Sequence, residues 1–240
     1  MSKVIVIGDR SVGKSYMVNA LSEKPYQIVE SRDSPKDSIA PTESTESRNL
    51  ELIVDLPRNI KLSLVLIDTP GEYYSNRQIQ EDSPEVWQDF CHEVQKSNYV
   101  ILLLPPHQGL SSNTNSSMIE KHFTTARQSQ NRFKEGWIPF LRENCRQPRN
   151  ILICRHKADL FLRNTDEVGN RYRYPDDFSW SDYFEFSKNY FKEINNEISQ
   201  YKQDNYHQEV RLFVTTIHNR PLLELPWIYI ATRESIKPKY

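Results

Sequence analysis

Glycine is scarce in this chain, with 6 in 240 residues. That excludes a collagen-like or glycine-rich low-complexity chain, and it makes any two glycines at a meaningful spacing informative. Cysteine is scarce as well. The three, Cys91, Cys145 and Cys154, are scattered, form no C-x-x-C pair, and have no histidine at metal-ligand spacing. A disulfide scaffold and a zinc module are therefore excluded, and a reducing, cytoplasmic setting is the expectation. Neither sign of charge dominates: 31 Lys+Arg against 32 Asp+Glu leave a net charge of −1. No strongly basic face for nucleic acid is expected, and no polybasic membrane tail. Long apolar runs are missing too. The longest, Tyr99–Leu104, is stopped by Pro105-Pro106, far short of the ~20 residues a membrane span needs. The start of the chain shows no basic-then-apolar leader, position 2 is Ser rather than Gly, and the last residues are Lys-Pro-Lys-Tyr. No targeting segment or membrane anchor of its own is expected.

What remains is a globular composition, 37% hydrophobic and 11% aromatic, long enough to bury a core and read as one domain over 1–240. Short apolar runs alternate with longer amphipathic stretches, the pattern of an α/β fold with a mostly parallel sheet. Six strands are predicted, at 3–7, 48–55, 60–67, 98–104, 150–154 and 209–214. The second and third are too close for a crossover helix and read as an antiparallel hairpin across Leu56-Pro57-Arg58-Asn59.

Helix starts are predicted at Ser83-Pro84, at a capping box Ser117–Glu120, and at Ser179–Asp182. Ile119, Phe123, Ala126, Phe133, Trp137 and Leu141 then fall near one helical face, with Gly136 and Pro139 bending that helix late. Phe184, Phe191, Ile194, Ile198 and Tyr201 form a second stripe. Both stripes read as core packing. Residues 22–47 and 163–178 read as polar loops. In the second, Arg171, Tyr172, Arg173 and Tyr174 alternate like an RNA-stacking strip, but acidic neighbours and the neutral chain speak against that use. A last helix is predicted over 227–235, opened by Pro226.

The most specific motif is Gly8-Asp9-Arg10-Ser11-Val12-Gly13-Lys14-Ser15. It fits G-x-x-x-x-G-K-[ST], follows a strand of β-branched residues, and opens a segment from Tyr16 that can be helical. Its glycines let successive backbone N–H groups close around phosphate oxygens, and the helix N-terminus adds partial positive charge. Lys14 can reach β- and γ-phosphates, and the Ser15 hydroxyl can ligate Mg²⁺. Residues 8–16 are thus candidates for binding a nucleoside triphosphate, a property shared by ATPases and small-molecule kinases.

Three further strand ends carry chemistry. Asp68-Thr69-Pro70-Gly71 ends the hairpin's second strand: Asp68 can hold Mg²⁺ through water, and the Gly71 N–H can approach a γ-phosphate. After the fifth strand comes Arg155-His156-Lys157-Ala158-Asp159. The Asp159 carboxylate can accept the two donors on the guanine edge, which adenine lacks, and the Lys157 stem can lie along the base plane. After the sixth strand, Thr215-Thr216-Ile217 can offer a backbone N–H to the base carbonyl.

In this order the four motifs resemble those of a Ras/Era-like P-loop GTPase of the translation-factor class, across the chain from Val4 to about Ile217. The resemblance implies a three-layer α/β sandwich, guanine nucleotide and Mg²⁺ as ligands, and a protein effector or activating partner. It implies a switch I at about 22–47 whose threonine completes the metal shell. Pro41-Thr42 matches the Pro-Thr pair of such proteins, whereas Thr45 is better placed by counting back along the hairpin, and both stay candidates. Switch II falls at about 70–83. There Glu72 stands where relatives often carry Gln, either positioning the attacking water with help from a cation or turning to solvent. Lys14 and Glu72 are the catalytic candidates. Two features depart from the resemblance: His156 replaces the usual Asn or Thr, and the chain carries an extended helical region at about 115–147 and an insertion at 163–178. Two other functions compete with a GTP-hydrolysing switch. One is a scaffold that keeps the fold without hydrolysis. The other is a P-loop ATPase or kinase, against which Asp159 speaks.

Overall fold

The computed structural model describes residues 2–9, 11–22, 28–31, 46–54, 60–68, 84–110, 116–146, 150–175 and 177–236. Seven strands form one sheet: β1 (Ser2–Gly8), β2 (Val29–Ser31), β3 (Glu46–Val54), β4 (Ile60–Asp68), β5 (Tyr99–Leu104), β6 (Asn150–Arg155) and β7 (Glu209–Val214). Their order is β2-β3-β4-β1-β5-β6-β7. β1 lies parallel to β4 and β5, and β6 and β7 continue the parallel run, while β2–β3 and β3–β4 are antiparallel. The mostly parallel α/β architecture is the one the sequence predicts. The seventh strand, β2, adds a second antiparallel pair at the edge, inside the stretch read as a loop.

The central strands are apolar on both faces because helices cover both. Val4–Ile7 of β1 and the whole of β5 are buried. The helices are α1 (Lys14–Asn19), α2 (Pro84–Lys96), α3 (Ser116–His122), α4 (Ala126–Arg132), α5 (Ile138–Asn144), α6 (Thr165–Arg171), α7 (Trp180–Lys188), α8 (Asn195–Asp204) and α9 (Arg220–Ile236). Among the described residues, none is long and apolar enough to cross a membrane.

Five local expectations are corrected. Helix α3 begins at Ser116, so Ser117 lies inside it. The capping box sits instead at Thr125, whose side chain accepts from the Gln128 N–H while Gln128 accepts from the Thr125 N–H at 2.9 Å. The stripe from Ile119 to Leu141 is buried at Ile119, Phe133, Trp137 and Leu141, but it spans three helices and a π-turn, Phe133–Trp137, rather than one bent helix. The stripe from Phe184 to Tyr201 is likewise broken by a 3₁₀ turn, Lys192–Ile194. The polar stretch 163–178 contains α6, started by Asn164, which accepts from the Glu167 N–H at 3.1 Å. In that stretch Tyr172 is 6% exposed, so its ring belongs to the core rather than to a stacking surface. Finally, Pro226 sits inside α9, which starts six residues earlier, at Arg220. That helix tolerates the missing N–H because ten of its residues are buried, so packing holds it.

Candidate functional site

Residues 8–15 join β1 to α1, as the sequence predicts for a phosphate-binding loop. Gly13 takes φ 103°, and Ser11 takes φ 59° without being glycine, so the loop holds two left-handed positions. The Lys14 ammonium is turned into the loop and donates to the carbonyls of Gly8 and Asp9, 3.1 Å each. Its 7% exposure means that an ordinarily solvated cation is kept inside the curl of the backbone. Val12 points the other way, into the core at 1% exposure, so only its backbone is available to a ligand. Tyr16, half exposed on the first turn of α1, is available only at the rim. Arg10 lies outside the described residues.

The strand end after β6 meets this loop directly. Lys157, at φ 61°, sends its ammonium to the Ser11 carbonyl at 2.9 Å and stands 5.6 Å over the Phe123 ring. His156 is 2% exposed and packs edge-on against Gly13, where an added Cβ would lie 3.1 Å from its Cδ2 and Nε2. Position 13 therefore needs glycine twice over, for its φ and for this ring. The other ring nitrogen, Nδ1, shares a 2.9 Å hydrogen bond with the Thr215 hydroxyl. Burial, with Lys157 beside it, pushes the imidazole down to about 4, only partly opposed by Asp159. The ring is therefore neutral at ordinary pH.

The strand end after β7 completes the cluster. Thr216 donates its hydroxyl to Asp159 Oδ1 and accepts from the His218 N–H at 3.2 Å. Ile217 packs half-buried against the core. The backbone is laced here as well: Ala158 N–H donates to Thr215 O, and Thr215 N–H to Arg155 O, both at 3.0 Å. Helix α6 braces the same turn. A Cβ on Gly169 would meet Asn219 Oδ1 at 2.2 Å, and Asn219 Nδ2 donates to Asp166 at 3.1 Å.

Asp68 ends β4 in register with Val6 of β1, two residues before Gly8, and faces Glu46 across the β3–β4 pair. Its backbone thus stands beside the start of the 8–15 loop. Thr42, Thr45, Gly71 and Glu72 lie outside the described residues.

Three contributors were missed from sequence. Thr215 holds His156; it reads there as one of two adjacent threonines. Arg132, at the end of α4, reaches Asp9 with Nη2 2.8 Å from Oδ1. Phe123, read as core, is the ring under Lys157. A fourth group lies one step back. Arg155, fully buried, donates to Pro105 O at 2.7 Å and to Glu193, and His107 Nε2 lies 3.2 Å from the other Glu193 oxygen. Burial opposes an ionised Glu193, but His107 and Arg155 outweigh it and hold that carboxyl below its ordinary value. This triad fixes the residue just before His156. No sequence signal pairs residues so far apart, since nothing but tertiary folding brings them together.

A sheet of this order, with a G-x-x-x-x-G-K-S loop leaving its first strand and the 156–159 and 215–217 turns at neighbouring strand ends, defines a P-loop GTPase. Residues 3–133 match the family model described as 50S ribosome-binding GTPase. The chain belongs to that family of translation-factor-class GTPases. The match takes in the loop at 8–15 and the Asp68-Thr69-Pro70-Gly71 motif and ends before the 156–159 turn. No curated protein matches the chain.

Proposed function

We propose that this GTPase works as a switch over one nucleotide-binding domain, 1–240. In this reading it binds GTP with Mg²⁺, hydrolyses it slowly to GDP and phosphate, and is regulated by a protein partner. The observation that carries the reading is the stitching of the 156–159 turn to the 8–15 loop through Lys157 to Ser11 and His156 against Gly13. That contact supports a reading in which Asp159 accepts from a guanine edge beside a triphosphate cradle. The donor set fits the ligands. A caged ammonium, a Ser15 hydroxyl at the head of α1, and a left-handed loop match a polyphosphate with a hard cation. Ser15, Asp68 and either Thr42 or Thr45 would hold Mg²⁺, which supplies charge neutralisation at the phosphates.

Lys14 exchanges two carbonyl partners for phosphate oxygens on binding. Asp159 accepts from guanine, held in place by the Thr216 hydroxyl. His156 takes the place of the usual Asn as the tie between the two loops. Glu72 can accept a hydrogen bond from the attacking water but cannot donate one, so intrinsic turnover is slow, well below the ~1–10³ s⁻¹ of ordinary enzymes. A partner that supplies a cation raises it. In this reading the γ-phosphate governs the contacts of the two switch stretches, 22–47 and 70–83.

Lys14→Ala tests the cradle. Its GTP and GDP affinity, measured by calorimetry with Mg²⁺, should fall at least ~10-fold, about 1.4 kcal/mol, with the melting temperature of the nucleotide-free protein retained. Unchanged affinity in the folded variant contradicts the phosphate assignment.

A further inference from the structure

The second residue of the loop is a carboxylate, Asp9, only 6% exposed. On the reading above it stands beside a backbone curl that takes up a polyphosphate, where an uncompensated negative charge nearby opposes binding. Burial raises its carboxyl above the ordinary value, and Arg132 and Lys14 counter that. Lys14 reaches the Asp9 carbonyl rather than its carboxylate, and it is the group that must turn to the phosphates. The lasting partner of the side chain is therefore Arg132, at 2.8 Å.

Arg132 comes from the helical region at 116–144. Its side chain is 44% exposed and forms part of the wall of a cavity of about 330 Å³, together with Asp9, Ser11, Phe123 and Lys157. The Phe123 ring under the Lys157 ammonium comes from the same region. This region thus touches both halves of the candidate site, each time at a charge.

We propose that Arg132 is a positioning residue for nucleotide binding: it neutralises Asp9 and holds the 8–15 loop in its anion-accepting form, so that the helical region sets the affinity for polyphosphate. The proposal rests on the phosphate reading of that loop. It makes the helical region a control element, since any displacement of α4 leaves an unpaired negative charge beside the cradle.

A double-mutant cycle on the full chain tests it, with Mg²⁺·GTP as the probe and calorimetry as the readout. Arg132→Gln should weaken GTP binding about tenfold or more, and Arg132→Lys should keep most of the affinity. In an Asp9→Asn background, Arg132→Gln should change affinity less than about twofold, because no charge is left to neutralise. A purely structural Arg132 would lower the melting temperature equally in both backgrounds and leave the affinity difference unrescued. Wild-type affinity in Arg132→Gln, or an equal loss in the Asp9→Asn background, overturns the proposal. Lys14→Ala run alongside separates the two readings. If Lys14→Ala weakens GTP binding and Arg132→Gln does not, this proposal alone fails. If neither does, the phosphate reading fails.

Discussion

His156 stands where the motif is expected to carry Asn or Thr, and its surroundings explain how an imidazole is accommodated there. An imidazole is flat and has two nitrogens, so one can engage Thr215 while the opposite edge lies on Gly13. That arrangement needs a neutral ring. With the folded value lowered to about 4 from 6.5, the unfolded chain takes up a proton first as pH falls. Stability is therefore complete above the unfolded value, declines as pH drops through the window between the two, and is lost below the folded value. Between about pH 7 and about pH 4.5, wild type should lose about 2–3 kcal/mol more unfolding free energy than His156→Asn. Urea titrations at both pH values measure this, and an equal loss in the two proteins would contradict the buried neutral ring. The motif residues themselves were legible, because Gly, Lys, Ser and Asp at fixed spacing carry their chemistry locally. Their partners were not: Arg132, Thr215 and Phe123 matter only through where the sheet brings them.

At the scale of elements, the C-terminal helix α9 does more than cover the sheet. Glu224, 1% exposed, accepts from the Ile28 and Val29 N–H groups at 3.1 and 3.2 Å, while Arg220 donates to the carbonyls of Ala20 and Leu21. The two side chains pair with each other at 2.8 Å. This ion pair therefore fastens both the 3₁₀ turn after α1, Ala20–Ser22, and the entry to β2. It does so from a helix that starts three residues after Ile217, on the base-side turn. Arg220→Ala removes a charge from beside the buried Glu224 and strips the Ala20, Leu21 and Val29 carbonyls of a donor, so it should cost roughly 3–5 kcal/mol. Chemical denaturation measures this, and a loss below about 1 kcal/mol would mean that the pair behaves as a surface bridge. Strands β1 and β5 were readable because buried parallel strands are continuous apolar runs. Helix α6 was not, because its face toward the core is narrow: only Gly169 is buried within it. Its start carried a usable sign, Asn164 with Glu167 three residues on, hidden in a polar stretch. Strand β2 has three residues, too short to show a period.

For the molecule as a whole, the parallel strands β1, β5, β6 and β7 bring the 8–15, 156–159 and 215–217 turns together. The helical region at 116–144 closes on them from the side. The family assignment covers the phosphate half of this arrangement, and the guanine half rests on Asp159, Lys157 and His156. Base preference is therefore the property that bears most directly on the account. The deciding measurement is the equilibrium affinity of the purified full chain for GTP, GDP and ATP with Mg²⁺, in one titration series. GTP and GDP should each bind at least ~10-fold tighter than ATP, since adenine lacks the donor pair that the half-buried Asp159 accepts from. ATP binding as tight as GTP, or no binding of any of the three by the folded protein, would contradict it.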